Sequence, residues 1–156
     1  MSIIDLSREQ FPIFVDTSVT VGTYVWKRIG FATEQSIAMN PQTESVDYAM
    51  YANAVEEVRS NQIEIPTNIA LKQGDDAFEF FYDKFKARPT GTACNVNVLV
   101  CFPETTNYTG WLCADSTVVF GSLAPFDKAL DFSLKLGGVI DDGSVVITNG
   151  TPVFTT

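Results

Sequence analysis

"ALDFSLKLGG", residues 129–138, sets Leu130, Phe132, Leu134 and Leu136 at alternate positions with Asp131, Ser133 and Lys135 between them. Successive side chains of a strand point to opposite faces, so this is a half-buried strand with one apolar and one wet face, ended by a glycine pair. The segments around it repeat that chemistry: "CNVNVLVCF" (94–102) and "YTGWLCADSTVVFGS" (108–122) before it, and "SVVI" (144–147) and "PVF" (152–154) after it. "DDG" (141–143) and "TNG" (148–150) mark tight turns among the last of these. Nearer the N-terminus, Thr23–Ile29 is a further β-rich run that Gly30 ends.

One segment breaks the β pattern. "GDDAFEFFYDKFKARP" (74–89) has acids at its start, Lys84, Lys86 and Arg88 at its end and Pro89 as a stop, which predicts a helix over 75–88. Ala77, Phe78, Phe81, Tyr82 and Phe85 fall on one side of it and form a core-packing stripe. The expected fold class is therefore mainly β: a β-sandwich or barrel of about seven or eight strands with one flanking α-helix.

Residues 1–156 read as a single domain, long enough to bury a core without cross-links. Residues 1–22, interrupted by Pro12 and Gly22, read as an N-terminal arm. Residues 30–45 lose hydrophobic period and read as a long loop, at the length limit for structureless connections in compact domains. Between Ala54 and Leu71 the β-like residues fit either a hairpin or one long bent strand, with Ser60-Asn61 and Pro66 as bends.

Composition excludes several chemistries. With 10 Lys and Arg against 19 Asp and Glu, the net charge is −9, so the chain lacks the cationic excess that grips nucleic acid or anionic membranes. It contains no histidine, which removes His-activated nucleophiles and the commonest neutral metal ligand. No phosphate-binding glycine motif and no calcium loop occurs, so no cofactor or metal is expected. The acid pairs Glu56-Glu57, Asp75-Asp76 and Asp141-Asp142 are sequence neighbours at places where solvated acids serve local structure, and no catalytic residue is assigned. Cys94, Cys101 and Cys113 are an odd number without a Cys-x-x-Cys pair; they read as small buried hydrophobes. No signal-peptide pattern opens the chain, so synthesis in a cytoplasm is expected.

Three pieces in order, "YVWKRIGFATEQSIAMNPQTESVDYAMYANAVEEV", "GDDAFEFFYDKFKARPTG" and "LDFSLKLGGVIDDGSVVI", resemble the major tail (tail tube) proteins of long-tailed bacteriophages, over roughly residues 20–156. One departure is "RSNQ" at 59–62, where such proteins often carry a Gly-aromatic pair. The resemblance implies a structural virion protein that closes into rings, typically hexameric, stacked into a hollow tail tube. A tape measure protein would fill the lumen, terminator and distal tail or baseplate proteins would cap the ends, and DNA would pass through without specific binding.

By motif match, Trp26, Arg28, Asn40, Pro41, Thr43 and Glu44 are the expected subunit-interface residues; Trp26 also fits a core aromatic. Asp47, Glu56, Glu57 and Glu64 are candidates for an acidic lumen wall, or are ordinary surface acids. Six copies at −9 would carry −54 per ring, so a duplex would slide rather than stick. Two alternatives stand beside this: the inner tube of a contractile tail or phage-like bacteriocin, and a free-standing carbohydrate- or receptor-binding β-sandwich with an aromatic platform at Tyr108 and Trp111.

Overall fold

The computed structural model describes residues 3–18 and 22–156. Among them are eleven strands: β1 (Ile13–Asp16), β2 (Trp26–Arg28), β3 (Ala32–Gln35), β4 (Pro41–Val46), β5 (Val55–Asn61), β6 (Glu64–Ala70), β7 (Asn95–Pro103), β8 (Tyr108–Ala124), β9 (Ala129–Lys135), β10 (Ile140–Thr148) and β11 (Thr151–Thr155). One α-helix, α1 (Asp76–Lys86), lies between β6 and β7. The mainly-β class with a large antiparallel sheet and a single flanking helix is as expected, with more strands than the seven or eight read from sequence.

Nine strands form one sheet, in the order β2-β1-β7-β8-β9-β6-β3, with β10 on β8 and β11 on β10. The first and last strands of that path, β2 and β3, are separated in sequence only by residues 29–31. A sheet whose two ends are tethered so closely must curl round, and the result is an open barrel with β2 and β3 facing each other across a cleft. The seventeen-residue β8 makes the change of direction possible. Its first half pairs with β7 on one side and β10 on the other, whereas from Val118 to Ala124 it bonds to β9 alone. The switch falls at Asp115, whose φ of 55° is a bulge conformation, and Asn97 Oδ1 accepts from Asp115 N at 3.2 Å to hold it. Opposite lies Gly138 with φ of 64°, where a Cβ would come within 3.2 Å of the Ala114 carbonyl.

Two cores result. The larger joins Ile13 and Val15 of β1, Val98 and Val100 of β7, Ile65 and Ile69 of β6 and the alternate leucines of β9 to α1. Phe81 stacks on Phe132 with ring centroids 4.2 Å apart, so the helix stripe and the "ALDFSLKLGG" strand meet as the sequence predicts. The helix begins at Asp75, whose carboxylate accepts from Phe78 N at 3.1 Å, and it ends before Arg88, at φ 52°, and Pro89. The smaller core, Phe14, Leu99, Cys101 and Val145, lies on the opposite face of β1 and β7, where β11 returns beside β2.

Three boundaries need correction. The arm 1–22 contains β1, a strand between β2 and β7 buried at all four positions, because its two faces serve the two cores; residues 1, 2 and 19–21 of that arm lie outside the described residues. The loop 30–45 is not structureless: it holds β3, an isolated bridge from Ala38 to Glu64, and β4. Residues 54–71 are neither one hairpin nor one bent strand but two strands in separate sheets, β5 pairing only with β4 and β6 lying between β3 and β9.

Candidate assembly surface

The β4–β5 hairpin is a two-stranded sheet of its own. Its base is closed by Asn40, which at φ 45° accepts from Gln62 N at 3.3 Å and donates from Nδ2 to the Gln62 carbonyl at 3.2 Å and to Glu64 at 3.4 Å. Six paired positions at about 3.3 Å each make an arm of roughly 20 Å. Every β4 residue except half-buried Val46 is exposed. Side-chain contacts stiffen the arm: Arg59 bridges Glu44 across the strands at 2.6 Å and Glu57 on its own strand at 3.3 Å, and the hydroxyl of Tyr48, in the turn, donates to Glu57. That bond to a carboxylate raises the Tyr48 pKa above its ordinary value. At the tip Tyr48, Met50 and Tyr51 are exposed, Met50 at 80%. Two strands alone are marginal in water, and among the described residues nothing covers this apolar tip.

The residues expected at an interface divide between this arm and the sheet edge. Asn40, Pro41, Thr43 and Glu44 lie at the base and on the first strand of the hairpin. Trp26 and Arg28 lie on β2, the edge of the large sheet. Trp26 is half-buried against the smaller core with its ring stacked on exposed Tyr24 at 5.0 Å, so it serves the core and the rim together. Arg28 donates to the Glu9 carbonyl at 3.0 Å, tying down the N-terminal stretch, whose Ile3, Ile4 and Leu6 are exposed.

The acids divide in the same way. Asp47, Glu56 and Glu57 belong to the hairpin, not to the large sheet. Glu64 alone of the four stands on the large sheet, where it accepts from Ser133 at 2.6 Å and Lys135 at 2.9 Å; these hydrogen bonds hold its carboxyl below the ordinary value. Its face of the β3-β6-β9 layer also carries Glu34, bonded to Asn68, and Asp131, paired with Asn68. Sequence reasoning missed those two; the period-two alternation of β9, which put Asp131 on the wet face, was the signal for one of them.

Among the described residues two strand edges of this layer lack a partner along their length: β8 from Val118 to Ala124, with Val119 exposed, and β3, which pairs with β6 alone. Beside β3 a cleft of about 1190 Å³ is lined by Arg8, Arg28, Glu34, Asn68 and Asp131 among others. Among the described residues no cluster of three or more metal-ligating side chains forms, and no helix is long and apolar enough to cross a membrane. The aromatic platform of the sugar-binding alternative is not present: Trp111 packs with the larger core, edge-on to Phe102, while Tyr108 packs with the smaller one on the other face of β8. Cys101 and Cys113 are likewise divided between the cores, and burial pushes both thiols up to about 12.

No protein-family model matches the chain, and no curated protein matches its sequence. Among solved structures, the chain is similar to one from the tail of an empty GTA particle refined with helical and C6 symmetry, with a TM-score of 0.58 and 12% identity over 88% of this chain and 98% of that one. It is also similar to a chain of the 6-fold symmetrised baseplate of the anti-feeding prophage, with a TM-score of 0.50 and 13% identity over 91% and 97% of the two chains. At these identities the likeness is one of fold, and the fold of this chain is therefore one that components of tail-type particles use.

Proposed function

We propose that this protein is a non-enzymatic structural subunit of a phage tail, assembling with itself into six-membered rings that stack into the tail tube. The observation that carries the reading is the pairing of two unpartnered strand edges with a hairpin that its own chain leaves bare. The layer β8-β9-β6-β3 has an open edge on each side, so copies placed round an axis can continue one sheet from the β8 edge of one to the β3 edge of the next. Closure satisfies backbone groups that an isolated copy leaves to water. The C6 symmetry of the GTA tail supports six as the number of copies.

In such a ring the polar face bearing Glu34, Glu64 and Asp131, with Lys135 on the same face and Arg8 and Arg28 beside it in the cleft, lines the channel. A wall without an excess of positive charge does not hold a duplex through counterion release, and at physiological salt any field it carries reaches only about 8 Å. Of the acids singled out from sequence, Glu64 belongs to the wall, and Asp47, Glu56 and Glu57 belong to contacts between copies. The lumen would hold a tape measure protein during assembly, terminator and distal tail or baseplate proteins would close the ends, and the finished protein would reside in the virion. The test is a charged edge: Val119→Lys should fold like the parent yet fail to form rings in negative stain. Rings of normal number and diameter from that variant would remove the lateral pairing on which the reading rests.

A further inference from the structure

The two ends of the β6–β9 layer expose different groups. Its register runs from Glu64 opposite Lys135 to Ala70 opposite Ala129, so the hairpin leaves at one end and the β8–β9 turn, residues 125–128, stands at the other. At that far end Phe126 is fully exposed and Phe31 about half exposed. Ala70 N donates to the Phe31 carbonyl at 2.9 Å and Leu71 N to the Lys128 carbonyl at 3.2 Å, which fixes both residues to the same end of the sheet. Lys72 sits with its ammonium 5.9 Å from the Phe31 ring centroid.

Charge differs between the ends as well. The hairpin carries Glu44, Asp47, Glu56 and Glu57 against Arg59, a formal −3, and neither Asp47 nor Glu56 has an ion-pair partner among the described residues. The far end carries Lys72 and Lys128 against Asp127, a formal +1, and neither lysine has an ion-pair partner among the described residues. The next acids along the chain, Asp75 and Asp76, are committed to capping α1 and to Lys27 respectively.

We infer that the hairpin tip of one copy docks on the Phe31–Phe126 end of a second copy, with Tyr48, Met50 and Tyr51 against the two phenylalanines and the hairpin acids facing Lys72 and Lys128. The inference rests on the self-assembly reading above and names the surface that receives the hairpin. Because donor and acceptor patches sit at opposite ends of one layer, the contact is head-to-tail and does not close on itself; it propagates along an axis. Exposed aromatic and methionine side chains supply the contact area, and the charges fix which end meets which.

The test uses the full chain in a Cys94→Ser background, since Cys94 is the half-exposed thiol and the other two are buried. A Met50→Cys protein and a Phe126→Cys protein are treated with a short bismaleimide, separately and mixed. The mixture should give cross-linked dimers about tenfold or more above either protein alone. Dimers from Met50→Cys alone would mean tip-to-tip contact and would overturn the proposal. In parallel, Phe31→Ser with Phe126→Ser, and Lys72→Glu with Lys128→Glu, should leave single rings in place of stacks with unchanged circular dichroism. Adding Asp47→Lys and Glu56→Lys to the second pair should restore stacking. Undiminished stacks from the phenylalanine variant refute the docking surface while leaving ring assembly intact, whereas a parent that forms neither rings nor stacks refutes both.

Discussion

Asp16 shows how single side chains hold the fold. Buried at the end of β1, it accepts from Val25 N at 2.9 Å, Ser18 N at 3.0 Å and Asn97 Nδ2 at 3.1 Å, joining the two ends of the β1–β2 connection to β7. Burial pushes its carboxyl up, but these hydrogen bonds together outweigh it and hold the group below its ordinary 3.8. Asp16→Ala leaves the donors unmatched and should cost about 1–3 kcal/mol, read as a lowered urea midpoint with unchanged slope. The pH dependence has a definite sign. Asp16 and Glu64 are both depressed in the folded state, so their contribution is present above their ordinary values of 3.8 and 4.5 and is lost as pH falls through the lower folded values. The denaturation midpoint should therefore drop on going from pH 6 to pH 3, and drop less in Asp16→Ala. Packing predicts a larger effect at Phe81, fully buried against Phe132, where Phe81→Ala should cost about 3–5 kcal/mol by thermal or chemical unfolding.

The hairpin and the β10–β11 pair make the contrasting elements. Asn40 and Gln62 are hydrogen-bonded across the hairpin base, so replacing residues 41–61 by a two-residue Asn-Gly turn asks nothing new of the large sheet. The shortened protein should keep the thermal midpoint of the parent within a few degrees and lose stacking; an unfolded product would show that the arm supports its own subunit. Gly143 sits against the β11 backbone, and a Cβ there would collide with the Thr155 carbonyl and the Phe154 ring. Gly143→Ala should therefore displace β11 and destabilise by about 1–3 kcal/mol in a thermal melt. Legibility followed the same physical lines. Helix α1 was readable because its caps, charges and apolar stripe are local, and β9 because only one of its faces is buried. β1 was missed because "IFVD" is buried on both faces and so lacks alternation, with Pro12 just before it. β4 was missed because none of its first five side chains enters a core, and a strand that packs on nothing in its own chain leaves no period to read.

At the scale of the whole molecule, the fold is similar to that of chains from two tail-type particles. What the sequence could not convey was which acids share a face. Glu56 and Glu57 look like wet-face strand residues, and they are, but of a hairpin apart from the large sheet; only pairing partners far along the chain decide that. Glu34 and Asp131 stand together with Glu64 for the same reason, through β6 and β9, strands about sixty-five residues apart in sequence at Glu64 and Asp131. The proposal that this subunit is completed by copies of itself is tested most directly by negative-stain microscopy of the purified chain across a concentration series: hollow rings and short stacks growing with concentration are expected, and a particle that remains a 17.1 kDa monomer throughout would contradict it.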